Sequence, residues 1–281
     1  NNYTINSLFE LPVSSKSALM VAFRHTYYDL YENMDLDLLK NNENESNIVT
    51  IIPDYVFRDL NVKYTAIGDN GISLRFSMLM GQDKFAYEVN EEVNTFDLKK
   101  NTSEENLQKG ASTVLGKNWK NGIKSKITVS YSSLNTEFND NYKLIRRTTG
   151  NIWHENDRQI KNNTLEWNYK FDNSFSVNDF HTLETGISYT SIKSSWSEDS
   201  MNLKNIDQHI NGGHYTLFAQ DKISFGSTNI NLGIRSNYLP YIGKLFHEPR
   251  FSVAHRLGEK MTLKAAWGLY NQFMVKASVK D

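Results

Sequence analysis

No cysteine occurs among the 281 residues. That excludes a disulfide framework, a thiolate metal site and a cysteine nucleophile. No window approaches the 18 or more apolar residues that a membrane helix needs. The first residues, Asn1-Asn2-Tyr3-Thr4, lack the basic, apolar, small-residue order of a signal peptide, so the chain is expected to start at a mature terminus or within a longer polypeptide. Charge of one sign is not in excess. The net charge of −1 gives no bulk attraction to nucleic acid. Proline is scarce, with four residues. Helical periodicity is nowhere sustained, and the best helix candidate, Asn33–Lys40, is short and reads as loop. G-x-S-x-G, P-loop and H-E-x-x-H spacings are absent, no Ser, His and Asp set converges, and no cofactor is expected.

What the chain has instead is alternation. In Gly122–Leu134, Ile123, Ile127, Val129 and Tyr131 share one parity, while Lys124, Lys126, Thr128, Ser130 and Ser132 share the other. A strand sends alternate side chains to opposite faces, so this stretch is a strand with one apolar and one wet face. The pattern recurs in pairs around short turns. The predicted pairs are Tyr3–Val13 with Ala18–Glu32, Tyr55–Ile67 with Ile72–Val89, and Gly110–Asn118 with Ile123–Phe138. They continue with Arg158–Phe171 and Asp179–Ser195, Gly213–Phe225 and Asn229–Tyr241, and Glu248–Arg256 and Met261–Gln272. Gly68-Asp69-Asn70-Gly71 and similar turns tolerate positive φ and suit tight hairpins. Between pairs lie long polar stretches, at about 33–54, 90–108, 135–157 and 196–210, which read as loops.

The apolar face could meet a protein core or lipid. The mean hydropathy of −0.56 is polar for a chain with 12% aromatics and this much strand pattern. Only an outer band need be apolar in a barrel with a wet lumen. Strand length points the same way: Ile72–Val89 would reach roughly 50 Å or more, beyond the usual strand of a globular sheet. Arg75, Lys124, Lys126, Arg235 and Lys264 all keep to the polar parity, and such a residue facing lipid near the midplane costs about 2–4 kcal/mol. Turns are short at one end and polar segments long at the other, as in outer-membrane barrels. The expected fold is therefore all-β, an antiparallel up-and-down transmembrane β-barrel portion of about twelve meander strands.

Few residues carry chemistry. Trp153-His154 and Trp196 sit in the predicted extracellular stretches, where rings can stack on a sugar or siderophore; belt or packing roles are the default. Arg146-Arg147 could meet an anionic ligand, with a solvated loop as the plain reading. Asp35, Asp37, Glu43 and Glu45 lack the glycine and terminal glutamate of an EF-hand, and read as a solvated acidic loop. His209 and His214 read as ordinary loop histidines, so no metal is expected. Trp119, beside a short turn, reads as a periplasmic girdle residue.

Several motifs fall in a recognisable order. They are Phe23-Arg24-His25-Thr26-Tyr27-Tyr28-Asp29-Leu30, then Arg58-Asp59-Leu60-Asn61-Val62-Lys63-Tyr64 with Gly81-Gln82-Asp83-Lys84-Phe85. Leu217-Phe218-Ala219-Gln220-Asp221-Lys222, Asn231-Leu232-Gly233-Ile234-Arg235, Glu248-Pro249-Arg250-Phe251-Ser252 and Leu263–Gln272 follow. The series resembles TonB-dependent outer-membrane receptors of the Bacteroidetes group. The resemblance implies a 22-stranded barrel with an N-terminal plug, located in the Gram-negative outer membrane. It also implies energy-coupled uptake of a scarce nutrient and no catalytic activity. Its implied partners are membrane lipid, the plug of the same protein, the TonB complex and a small ligand. No plug segment precedes residue 1 and no aromatic-ended final strand closes the chain, so residues 1–281 are expected to be a partial barrel domain. Two other readings stand beside it: an outer-membrane enzyme on a closed twelve-stranded barrel, and a soluble all-β binding module.

Overall fold

Alternation becomes twelve strands. The computed structural model describes residues 4–26, 50–201 and 203–273. Its strands are β1 Thr4–Ser14, β2 Ser17–Thr26, β3 Thr50–Ile67, β4 Ile72–Val93, β5 Phe96–Asn118 and β6 Lys124–Arg146. They continue as β7 Ile152–Ser176, β8 His181–Ser200, β9 Leu203–Phe225, β10 Thr228–Leu239, β11 Lys244–Leu257 and β12 Met261–Gly268. Each pairs antiparallel with its sequence neighbour in one sheet, in the order β1 to β12. Among the described residues no pairing joins β1 to β12, so the sheet has two open edges. The predicted short turns are all present. At the β3–β4 turn Asn70 and Gly71 have φ of 62° and 75°, which the Asn-Gly sequence supplies. The candidate helix Asn33–Lys40 and the acidic group Asp35, Asp37, Glu43 and Glu45 lie outside the described residues.

Register carries one face through the whole sheet. Ile127, Val129 and Tyr131 lie opposite Phe171, Tyr169 and Trp167 on one side and Leu115, Thr113 and Ala111 on the other. The row continues through Ile187 to Leu217, Ile234, Leu232 and Phe251, and to Trp267 on β12. In the other direction it runs through Phe76 and Met78 to Tyr64 and Val62, then Leu19 and Val21, then Leu11 and Phe9. The predicted cations Arg75, Lys124, Lys126, Arg235 and Lys264 fall on the opposite face of the same registers.

Burial is inverted relative to a water-soluble sheet. Leu239 is the single buried hydrophobic side chain among the described residues, while Thr190, Thr216, Asn237 and Glu248 are buried. Leu217 is 62% exposed and Trp267 59%. Leaving a large apolar side chain in water forgoes about 1.5–3 kcal/mol each. A continuous band of them across twelve strands requires an apolar surround, and lipid provides it. The polar face is knitted by side chains instead. Thr216 Oγ1 donates to Asn237 Oδ1 at 2.8 Å, and Asn168 Nδ2 donates to Thr190 Oγ1 at 2.7 Å.

Aromatics mark both rims of the band. Trp119, exposed in the β5–β6 turn, donates its indole N–H to Ser125 Oγ at 2.9 Å, and Phe180 stands 5.9 Å from Phe225 beside the neighbouring short turns. At the other rim Tyr131 packs on Trp167 at 5.0 Å and Tyr189 on Tyr215 at 4.7 Å. On β9 the span from Tyr215 to Phe225 is roughly 33 Å along the strand. At a tilt of about 40° that is roughly 25 Å in height, the thickness of an outer-membrane band.

The long polar segments are not loops. β4 to β9 run 20 to 25 residues each, and their pairing continues well beyond the upper aromatic rim. Val93 lies opposite Phe96, and Ser200 opposite Leu203. The stretches 90–108, 135–157 and 196–210 are therefore hairpin extensions with tight ends. Polar side chains face both ways in them, and cross-strand contacts hold them: Thr102 Oγ1 donates to Asp140 at 2.6 Å and Arg158 Nε to Glu198 at 2.8 Å. At the far edge β12 stops at Gly268, earlier than expected. Leu269 N–H still donates to Pro249 O in the register of the ladder, but Pro249 has no N–H to return, and Asn271 N–H turns to the buried carboxylate of Glu248 at 3.1 Å.

Candidate functional site

The tip of the β6–β7 hairpin gathers most of the residues singled out from sequence. The register slips there. Leu144 lies opposite His154, but Ile145 lies opposite Ile152. Trp153 is thus the extra residue of a β-bulge, a device that re-aims a side chain. Its ring, 61% exposed, sits 5.0 Å from the Phe96 ring and 6.4 Å from His154. His154 Nε2 and Tyr142 OH share a hydrogen bond of 2.9 Å, with their rings 5.6 Å apart. The Arg146 guanidinium stands over Phe96 at 5.8 Å from its centroid.

The two arginines have different work. Arg147 holds the neighbouring hairpin: Nε donates to Asp97 at 2.8 Å, Nη1 reaches Glu92 at 3.1 Å, and its backbone N–H donates to Thr95 O. It pins the β4–β5 tip to the β6–β7 tip. Arg146 has no carboxylate partner among the described residues. The site therefore offers an exposed Trp153 ring backed by the half-buried Phe96, a polar His154–Tyr142 pair, and one available cation. Such a surface suits a ring-bearing ligand.

Trp196 does not join this cluster. It lies on β8 opposite Asn162, eight positions down β7 from His154, or roughly 26 Å along the strand. Phe96 and Tyr142 were not singled out from sequence. Their partnership depends on register across two hairpins, and the lone trace was an aromatic in each of two very polar stretches. His209 and His214 are on β9 at opposite parity, so they face opposite sides of the sheet. His209 sits 3.1 Å from Asp207, and His214 packs at 5.8 Å against Phe273. A shared metal is thereby ruled out for the pair.

The aromatic cluster stands too far out to be a membrane belt. From Ser133, just past the rim residue Tyr131, β6 continues for about 14 residues to Arg146, roughly 46 Å of strand. Trp153 and His154 are exposed there, well away from the lipid band.

No family model matches the chain, and no curated protein matches it. Solved structures do. The outer-membrane transporter YddB from Escherichia coli superposes with a TM-score of 0.56 at 12% identity, over 90% of this chain and 36% of that one. The ferric citrate transporter FecA, in its unliganded form, gives 0.55 at 8% identity, over 91% and 40%. The ferric yersiniabactin uptake receptor FyuA from Yersinia pestis gives 0.54 at 8% identity, over 94% and 44%. The chain thus spans well under half the length of each. Likeness at this identity establishes the fold, that of outer-membrane β-barrels. Together with the outward apolar band it sets the chain in the outer membrane.

Proposed function

We propose that the chain is the barrel portion of a TonB-dependent outer-membrane receptor, serving energy-coupled uptake of a scarce nutrient such as a siderophore, cobalamin, a glycan or a peptide. The observation that carries this reading is an inside-out sheet with two open edges. Its apolar band faces outward on all twelve strands, its wall is polar and cross-linked, and it spans 36–44% of the solved barrels it resembles. Unpaired edges are an aggregation liability, so further strands are expected to complete the barrel, to about 22. A plug would sit against the polar wall, with the TonB complex acting on it. The ordered motifs that resemble Bacteroidetes receptors support the same assignment. Ligand capture falls to the tip cluster of Phe96, Tyr142, Trp153, His154 and Arg146, with Arg147 as the brace.

The test uses the full-length natural protein in its own outer membrane. It should sediment with that membrane and migrate differently before and after heating. Uptake of labelled ferric siderophore, cobalamin or oligosaccharide should fall on deletion of the receptor and equally on deletion of TonB. A water-soluble protein, or uptake indifferent to TonB, would sink the proposal.

A further inference from the structure

The outward face is apolar through the band and turns basic at its upper edge. Along β5, from the rim residue Trp119 to Lys109 is roughly 33 Å of strand or about 25 Å of height, the full thickness of the band. On β3 the span from Ile67 to Arg58 is roughly 30 Å, which reaches the same edge. Both side chains are exposed and share the face of the apolar rows. Lys109 follows Thr113 and Ala111 along β5, and Arg58 follows Val62 and Leu60 along β3. Lys193, exposed opposite Leu165 on β8, continues the series just above the edge.

Among the described residues none of the three has a carboxylate partner. Arg58 donates through Nε to Gln82 Oε1 at 2.6 Å, and the Gln82 amide donates to Glu105 at 2.5 Å. Gln82 thus stands between the guanidinium and Glu105, which lies roughly 13 Å of strand beyond Lys109. No aspartate or glutamate takes an outward position on β3 to β8 at or below the level of Arg58 and Lys109.

Directly below Lys109 the surface is hollow. Ala111 and Thr113 are small, and larger side chains stand on both sides, Met78 and Phe76 on β4 and Tyr131 and Val129 on β6. The hollow bounded by Ala111, Thr113, Val129, Tyr131 and Trp167 has a volume of about 310 Å³. It opens to the lipid side and runs along β5 toward the lysine. Cations at the membrane edge above an apolar furrow are the complement of one kind of amphiphile, an anionic head on hydrocarbon chains.

We propose that this face binds a phosphorylated glycolipid of the outer leaflet, with its phosphate on Arg58 and Lys109 and an acyl chain in the Ala111–Thr113 furrow. The proposal rests on reading the long-hairpin end as the cell-surface end of an outer-membrane barrel, where lipid A supplies that chemistry. Arg58 offers a planar fork that matches phosphate oxygens two at a time, and Lys109 adds a point charge. A lysine that merely snorkels to the water boundary needs neither a second cation nor a furrow. The short-turn rim, which meets the other leaflet, has its outward polar groups engaged within the protein. Lys117 Nζ donates there to Asn70 O at 2.7 Å, and His181 Nδ1 lies 2.7 Å from Asp221.

The experiment is native mass spectrometry of the full-length protein in detergent, after incubation with lipid A, with lipid A stripped of its phosphates, and with phosphatidylglycerol. Lipid A should remain bound, and its retention should fall when salt is raised during incubation. R58Q/K109Q should retain it at least about tenfold less. A111F, which fills the furrow and leaves the charges, should also lose it. K260Q, in the β11–β12 turn at the opposite end, should match the wild type. Equal retention by wild type and R58Q/K109Q would overturn the site, and so would equal retention of the dephosphorylated lipid or of phosphatidylglycerol. Membrane sedimentation and heat-dependent migration report on the barrel separately. Their retention in R58Q/K109Q with lost lipid A supports the site, and their loss in the wild type would strike the barrel reading instead.

Discussion

Arginine placed at Val129 and at Thr128 distinguishes the two faces of β6 within one residue. Val129 lies opposite Thr113 and Tyr169 in the outward row, six residues past Ile123 at the lower rim. Six residues are roughly 20 Å of strand, or about 15 Å of height at a tilt near 40°. Tyr131, two residues on and roughly 5 Å higher, stands at the upper rim, so Val129 lies inside the band about 5 Å above its middle. An outward arginine costs about 2–4 kcal/mol at the midplane and less toward the rim, so about 2 kcal/mol at this depth. Thr128 lies opposite Val114 and Lys170 on the wet face. An arginine there meets a like charge across the strand, which costs about 0.2–1 kcal/mol. The difference of about 1–2 kcal/mol is roughly five- to thirtyfold in the folding equilibrium. It is measured by urea-dependent refolding of the full-length V129R and T128R proteins into lipid vesicles, scored by heat-dependent migration. Equal losses would refute the facing of β6, and a larger loss for T128R would reverse it.

Other substitutions probe other parts of the sheet. Gly186→Val should lower the urea midpoint by the equivalent of about 1–3 kcal/mol, because a Cβ there would meet Asp172 Oδ1 at 2.7 Å and Phe171 O at 2.9 Å; Gly110→Ala, with only Tyr131 O at 3.7 Å, should be near neutral by the same measurement. Arg147→Ala should leave membrane assembly intact but speed protease cleavage around 94–95 and 147–151, since it frees Glu92 and Asp97 on the neighbouring hairpin. Removing residues 140–158 and rejoining the hairpin with Asn-Gly should preserve assembly, and it should abolish capture of the nutrient ligand; failure to assemble would contradict the reading of that segment as an extension outside the membrane. Trp153→Ala should keep heat-dependent migration and reduce ligand capture, and unchanged capture would remove the ring from the site.

The strand pattern was legible where one face meets lipid. Ile127, Val129 and Tyr131 alternate with Lys126, Thr128 and Ser130 because only one side must be apolar, and the same requirement exposes all twelve strands and their short turns. Past Ser133 that requirement ends. Asn135, Glu137 and Asn139 are as polar as Thr136 and Asp140, since both faces are wet, so a paired strand carries no two-residue period there and looks like loop. The site was half legible for a related reason. Trp153 and Arg146 stand out as residues, but the bulge that aims Trp153 and the register that brings Phe96 beside it are properties of pairing between distant segments. Trp196 looks equivalent in sequence and is separated from the others by its row on β8. The shortened β12 is masked by its own alternation: Gly268-Leu269-Tyr270 continues the pattern, while the partner strand sets Pro249 opposite Leu269 and Tyr270 packs against Gly268 beside Arg250.

The asymmetry between the two ends of the barrel wall is real, but strand length carries it and loop length does not. That changes what the outer end can do. An irregular segment that orders on capturing a ligand gives up about 1–2 kcal/mol of backbone entropy per residue fixed. A hairpin already paired from Gly81 to Val93, or from Ser133 to Arg146, has met that cost on folding. Arg147 then joins one tip to the next, so Phe96 and Trp153 face each other before any ligand arrives. Capture at such a tip gains from its contacts with little ordering to offset them. Weakening the Arg147 brace should therefore lower affinity, because its guanidinium is what holds Asp97 and Glu92 of the neighbouring hairpin. Its loss should appear as a slower association, or a smaller bound fraction, with the Trp153 ring still in place.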